Sequence, residues 1–155
     1  MKQKLLLMSL MISINLFALE CNEASFNKGN EEMRQIYSLY NETTVSHEEQ
    51  EAISKSKISK ENYAQDMKVL ENKLTTLQKS RTFLSQASMI NTININTWKE
   101  LEKTCHDKYL SAVQQARANA ESMQKSIQQR LTTVNGHINR TEMVITIGKK
   151  RYSGD

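Results

Sequence analysis

Hydrophobic positions recur at helical spacing along most of this chain. Met33, Ile36, Tyr37 and Tyr40 fall at i, i+3, i+4 and i+7, one face of a helix. Asn30 stands just ahead of them, where an N-cap is needed, and Glu31 and Glu32 suit the positive end of the helix dipole. A helix is predicted over about 30–41, followed by the polar turn Asn41–Thr44. Ser46 with Glu49 has the order of a capping box and opens a second, long helix predicted over about 46–90. The serine-rich stretch Ser54–Ser59 is its weak point. Further on, Tyr63, Leu70, Leu77 and Leu84 repeat every seventh residue, with Met67 and Leu74 in the intervening seam, until Arg81 and Ser88 interrupt it.

Asn91–Asn96 is rich in asparagine and β-branched residues, which compete with helix formation, and is read as the connecting loop. Thr97 with Glu100 then forms a capping box for a third helix, predicted over about 97–140 and roughly 64 Å long at 1.5 Å per residue. Three rows repeat in it every eleventh residue: Leu101–Ala112–Met123–Val134, Cys105–Ala116–Ile127–Ile138 and Trp98–Tyr109–Ala120–Leu131. Such a repeat gives a nearly straight or slightly right-handed supercoil. The tail 141–155 begins with the β-prone Thr141–Ile147. Docking as a strand, continuation of the helix and fraying all remain open for it.

Folding the chain back at 91–96 sets Leu70, Leu74 and Leu77 opposite Ala112, Ala116 and Ala120, large residues against small ones. The predicted fold is therefore all-α: an elongated, coiled-coil-like antiparallel hairpin. The shorter N-terminal helix covers part of it, giving a three-helix bundle, and self-association can cover the rest.

Composition supports this reading. Proline is absent and only four glycines occur, none of them between Asn30 and Asn135. The start adds a targeting signal. Lys2 and Lys4 precede an uncharged, mostly apolar run from Leu5 to Phe17, about 13 residues where a membrane span needs about 20. Residues 1–18 read as a signal peptide cleaved after Ala18, leaving one helical domain, 19–155, without a stable membrane span. Glu20 ahead of Cys21 argues against lipid attachment. The net charge of +4 falls to about +2 once Lys2 and Lys4 leave. A body this near neutral, with both signs interspersed, does not fit nucleic-acid binding.

An exported protein meets an oxidising compartment, so Cys21 and Cys105 are a candidate disulfide. With an unbroken second helix the two lie at opposite ends of the hairpin. The pair then forms within the chain only if it bends near Ser54–Ser59. Otherwise the cysteines pair between molecules or stay free.

Catalytic chemistry finds little footing. His47-Glu48 begins like a zinc-protease motif but ends in Glu51 where the second histidine belongs. Cys105 and His106 are neighbours that point about 100° apart on a helix, poor geometry for shared chelation. No glycine-rich phosphate loop or nucleophile elbow occurs. No catalytic, cofactor-binding or metal-ligating residue is assigned, and no cofactor is expected.

The segment from Trp98 to Cys105, together with the early Cys21-Asn22-Glu23-Ala24, resembles small exported bacterial proteins of the LprI-like, lysozyme-inhibitor type. The similarity covers about 30 residues. The chain departs from that pattern in having only two cysteines and a longer final helix. The resemblance implies a helical, periplasmic inhibitor of a cell-wall lytic enzyme. The residues alone point to a periplasmic or secreted, non-enzymatic protein that binds another protein or assembles in the envelope. A structural subunit of a secretion or surface apparatus is a further version, and a homo-oligomer is compatible with each.

Overall fold

The computed structural model describes residues 19–43 and 58–152. Three helices make up the fold: α1 (Glu23–Asn41), α2 (Tyr63–Thr104) and α3 (Asp107–Tyr152). The two long helices pack side by side as an antiparallel hairpin, and α1 lies against the half of it nearest the turn. At 46 residues, α3 is about 69 Å long. The predicted signal peptide and the capping box at Ser46 lie outside the described residues.

The hairpin turns later than the sequence suggested. Residues 91–96 are an uninterrupted part of α2, and the reversal occurs at Cys105 and His106. Asn91 and Asn94 are fully buried and hydrogen-bonded, so the asparagines that argued for a loop serve as polar core residues. Thr97 caps nothing: its hydroxyl donates to Glu32 of α1 at 3.2 Å. The true turn contains neither glycine nor proline. Cys105 is extended, and Asp107 takes a left-handed φ of 51°, which Asp tolerates better than most residues.

Moving the turn changes the register. In α2, Tyr63, Leu70, Leu77, Leu84, Asn91 and Trp98 form one seven-residue row, buried from Leu70 onward. In α3 the matching row is Val113, Ala120, Ile127, Val134, Thr141 and Gly148, all buried. The Asn91 amide donates to the main-chain carbonyl of Ala120 at 2.9 Å and so fixes the alignment. Trp98 then lies level with Val113, Leu84 with Ile127, Leu77 with Val134 and Leu70 with Thr141, and the core clusters agree. A seven-residue seam is the left-handed coiled-coil pattern.

Of the eleven-residue rows, Cys105–Ala116–Ile127–Ile138 stays in the core, whereas Ala112 and Tyr109 carry the other two out to solvent. The leucine-against-alanine pairing is likewise overturned. Leu70 packs with Ile145, Leu77 with Val134 and Ile138, and Leu74 borders both groups. Ala120 is buried near Trp98 and Val113, with Ala116 at its edge.

The outer helices are longer than predicted. Asn22, not Asn30, caps α1 by accepting from the Ser25 main-chain N–H at 3.0 Å. The second helix begins at Tyr63, where Asp66 accepts from both the backbone and the hydroxyl of Ser59. The tail to Tyr152 is helical rather than a strand. Its β-branched residues carry a modest propensity cost, offset where Thr141 and Ile145 bury themselves against α2.

Three attachments hold α1 to the hairpin. Cys21 and Cys105 form a disulfide within the chain, beside a hydrogen bond from the Thr104 hydroxyl to the Leu19 carbonyl at 2.8 Å. The distance that opposed this pairing disappears because Cys105 sits at the turn itself and α1 starts beside it. In the middle, Trp98 packs over Gly29, while Asn94 donates to the Gly29 carbonyl at 2.7 Å and to Glu32 at 3.0 Å. At the far end of α1, Arg130 donates to the Tyr40 carbonyl at 3.0 Å, and its guanidinium lies 3.8 Å from the centre of the Tyr40 ring. Ile36 is fully buried between these points against the hairpin core.

Candidate interaction surface

The three attachments leave the two ends of the rod different. The turn end is a closed three-helix body. Its outer cleft is bounded by charged and polar residues, Asn96, Lys99, Glu100, Glu102, Lys103 and Arg117. Its charges are largely paired with one another: Lys103 meets Glu100 at 2.6 Å, and Arg117 bridges Glu102 and Glu121. Little charge is left there for a ligand.

At the opposite end, α1 no longer covers the hairpin. Ile58 fills part of the space by lying where a side chain on Gly148 would be. A shallow cleft of about 230 Å³ remains, lined by Ile58, Val144, Ile147, Gly148, Arg151 and Tyr152. Beside it, Met143 is 57% exposed and Ile147 44%. Tyr152, one of its lining residues, lies against Tyr63 with ring centres 6.0 Å apart. Elsewhere Met89 and Ile93 form a small exposed pair on the outer face of α2, and Tyr37 and Tyr109 project separately from α1 and α3.

The titratable candidates stay apart. His106 is exposed at the turn, and His137 lies half-buried in α3 with its Nδ1 enclosed and unpartnered. Burial, with the nearby Arg140 cation adding to it, lowers the His137 pKa below the ordinary 6.5. His47 lies outside the described residues. Among the described residues, no three metal-binding side chains come together, and no helix is long and apolar enough to cross a membrane. Cys21 and Cys105, the paired candidates of the sequence, are joined; Leu70, Leu74, Leu77, Ala116 and Ala120 line the hairpin at different levels, and Ala112 faces solvent.

The exposed end of α3 was missed because Met143–Ile147 reads as a β-prone tail. Its signal is the helical spacing of Arg140, Met143, Ile147 and Lys150, which places them on one face. Comparison with protein-family models, with curated proteins and with solved structures finds no match to this chain.

Proposed function

We propose that this is an exported, non-enzymatic helical protein of the periplasm or cell exterior, whose outer helix faces bind another protein. The observation that carries the reading is the uncovered end of the hairpin, where Met143 and Ile147 stand exposed beside an apolar cleft. Apolar side chains grouped on the outside of an otherwise polar rod mark a contact surface. The Cys21–Cys105 disulfide supports export, since such bonds persist in oxidising compartments.

The test is site-specific photocrosslinking in producing cells, with benzoylphenylalanine at Tyr37, Met89, Met143 or Ile147. Discrete protein adducts from one or more of these positions are expected, in an envelope or extracellular fraction. No adduct from any of them, or a cytoplasmic protein with free thiols, removes the reading.

A lysozyme-inhibitor-like role is the more specific version. It is favoured by the Trp98–Cys105 segment lying at the disulfide-linked end. An inhibition assay decides it, because no loss of lysozyme activity at stoichiometric excess eliminates it. A structural subunit of an envelope assembly is the remaining version, and light scattering of the purified chain tests whether it self-associates.

A further inference from the structure

We infer that the outer face of α3 from Gly136 to Arg151 docks an acidic polypeptide segment carrying an apolar anchor, an assignment that rests on the protein-binding reading above and names its partner's chemistry. Gly136, Arg140, Met143, Ile147, Lys150 and Arg151 succeed one another at helical spacing and share one side of the helix. Four of them give the partner what it needs: Met143 and Ile147 offer apolar contact, and Arg140 and Lys150 flank them with positive charge.

The charge on this face is one-signed. Glu142, the acid within the segment, is turned about 100° away from Met143 around the helix by its spacing, and Lys149 is turned to Glu71 of α2 at 3.5 Å. Arg140, Lys150 and Arg151 have no acidic partner among the described residues. Lys150 and Arg151 suit the negative end of the helix dipole, but Arg140 lies three turns earlier, beyond that effect. Arg140 also lowers the proton affinity of His137, so its charge already acts on its surroundings. Gly136 has nothing within 4 Å of where its Cβ would be. A partner backbone can therefore approach closely at that end of the face, while the cleft between Ile58, Val144 and Ile147 receives an aliphatic or aromatic side chain at the other.

The same features argue against other occupants. A second copy would bring the same cations together. A lipid surface would gain only Met143 and Ile147 as inserted side chains, which is little for stable interfacial binding. An acidic peptide satisfies the cations and fills the cleft together.

Panning a random dodecapeptide library on the oxidised full chain tests the assignment. Enriched peptides should combine Asp or Glu with a large apolar residue. Their binding should weaken about tenfold or more in both Arg140→Glu/Lys150→Glu and Met143→Ser/Ile147→Ser chains, and fall as salt rises. All four side chains are exposed, so unchanged helicity and Trp98 emission should accompany the loss. Peptides that bind both variants like the parent chain overturn the site while leaving a protein-binding function in place, as do photocrosslinks confined to Tyr37 or Met89. Failure to enrich acidic peptides overturns it too. So does flotation with phosphatidylglycerol vesicles that the same substitutions abolish, because it assigns the face to a membrane.

Discussion

Gly29 of α1 and Trp98 of α2 approach so closely that a Cβ on the glycine would sit 2.5 Å from the indole ring. The contact explains a glycine inside a helix, where it costs about 1 kcal/mol relative to alanine. It also places the only tryptophan of the chain in the hydrogen-bonded group that joins α1 to α2. The indole N–H donates to the Asn94 side-chain oxygen at 3.0 Å, and the Asn94 amide donates back to the Gly29 carbonyl. Gly29→Ala gains helix propensity but overpacks the site, which costs about 1–3 kcal/mol, and it strains this group as well. A lower melting temperature with a red shift of Trp98 emission is expected. Trp98→Phe should recover part of the loss in the double variant, because a smaller ring relieves the clash. Equal stability of Gly29→Ala and the parent would show that the contact is looser than described.

Asn91 is the asparagine of the coiled-coil seam, fully buried in the α2 row. Its amide nitrogen serves the Ala120 carbonyl and the Gln124 side chain at 2.8 Å, but its oxygen is buried without a partner. An unmet buried acceptor costs about 1–3 kcal/mol, whereas an apolar residue of the same branching carries no such penalty. Asn91→Leu is therefore expected to raise the melting temperature. It should also weaken the specification of register, visible as higher oligomers or broadened amide spectra, since a single buried Asn is a common means of fixing alignment. A less stable, uniquely monomeric Asn91→Leu chain would reverse this assignment.

The disulfide closes a sequence separation of 84 residues around the entire α1–α2 path. Cross-links over long loops contribute about 2–4 kcal/mol, chiefly by restricting the unfolded chain. Cys21→Ser/Cys105→Ser should lower stability by that amount. Trp98, Leu101 and Val113 then lose one fastening of α1, while the α2–α3 seam from Leu70 to Ile127 keeps its own contacts. Far-UV circular dichroism should accordingly retain most of its helical signal under reducing conditions at moderate temperature, as Trp98 emission shifts to the red. Identical melting with and without reductant would mean that the bond adds nothing to the fold.

These relationships show why some of the architecture could be read in the residues and some could not. Tyr63, Leu70, Leu77 and Leu84 announce a seam, and the scarcity of helix breakers announces long helices. The seam continues through Asn91 and Trp98, but an asparagine at a core position looks like loop chemistry until its partner, the Ala120 carbonyl, is known. The real reversal at Cys105–His106 lacks the glycine or proline that usually marks one, and depends instead on the left-handed backbone of Asp107. In α3 the inward row ends in Thr141 and Gly148, small or polar residues that hide it. The eleven-residue rows are richer in recognisable hydrophobics and mask it. A turn displaced by about a dozen residues shifts the register by about two dozen, and so placed the alanines opposite the wrong leucines. The docking face on α3 was hidden by the same tail that read as β-prone: exposure is a tertiary property, and local sequence does not supply it.

His137 gives the fold a dependence on pH whose sign follows from its surroundings. Burial and the Arg140 cation both disfavour the imidazolium, so the folded chain holds this group neutral below the ordinary histidine value of 6.5. The unfolded chain therefore binds a proton there first as pH falls. Stability from this site is fully present above about pH 6.5 and is lost progressively as pH drops towards the lowered folded value. Denaturant midpoints measured from pH 8 downwards should decline across that window, with the carboxylates contributing only at lower pH. In His137→Gln the decline between neutral pH and the carboxylate range should flatten, since the amide cannot take up the proton. Arg140→Gln should raise the folded-state His137 pKa towards 6.5, which leaves the onset in place but makes the decline smaller and ends it at higher pH; NMR titration of the ring protons can follow the shift directly. A wild-type profile that is level from pH 7 to 5, or a decline unchanged in His137→Gln, would remove His137 as its source.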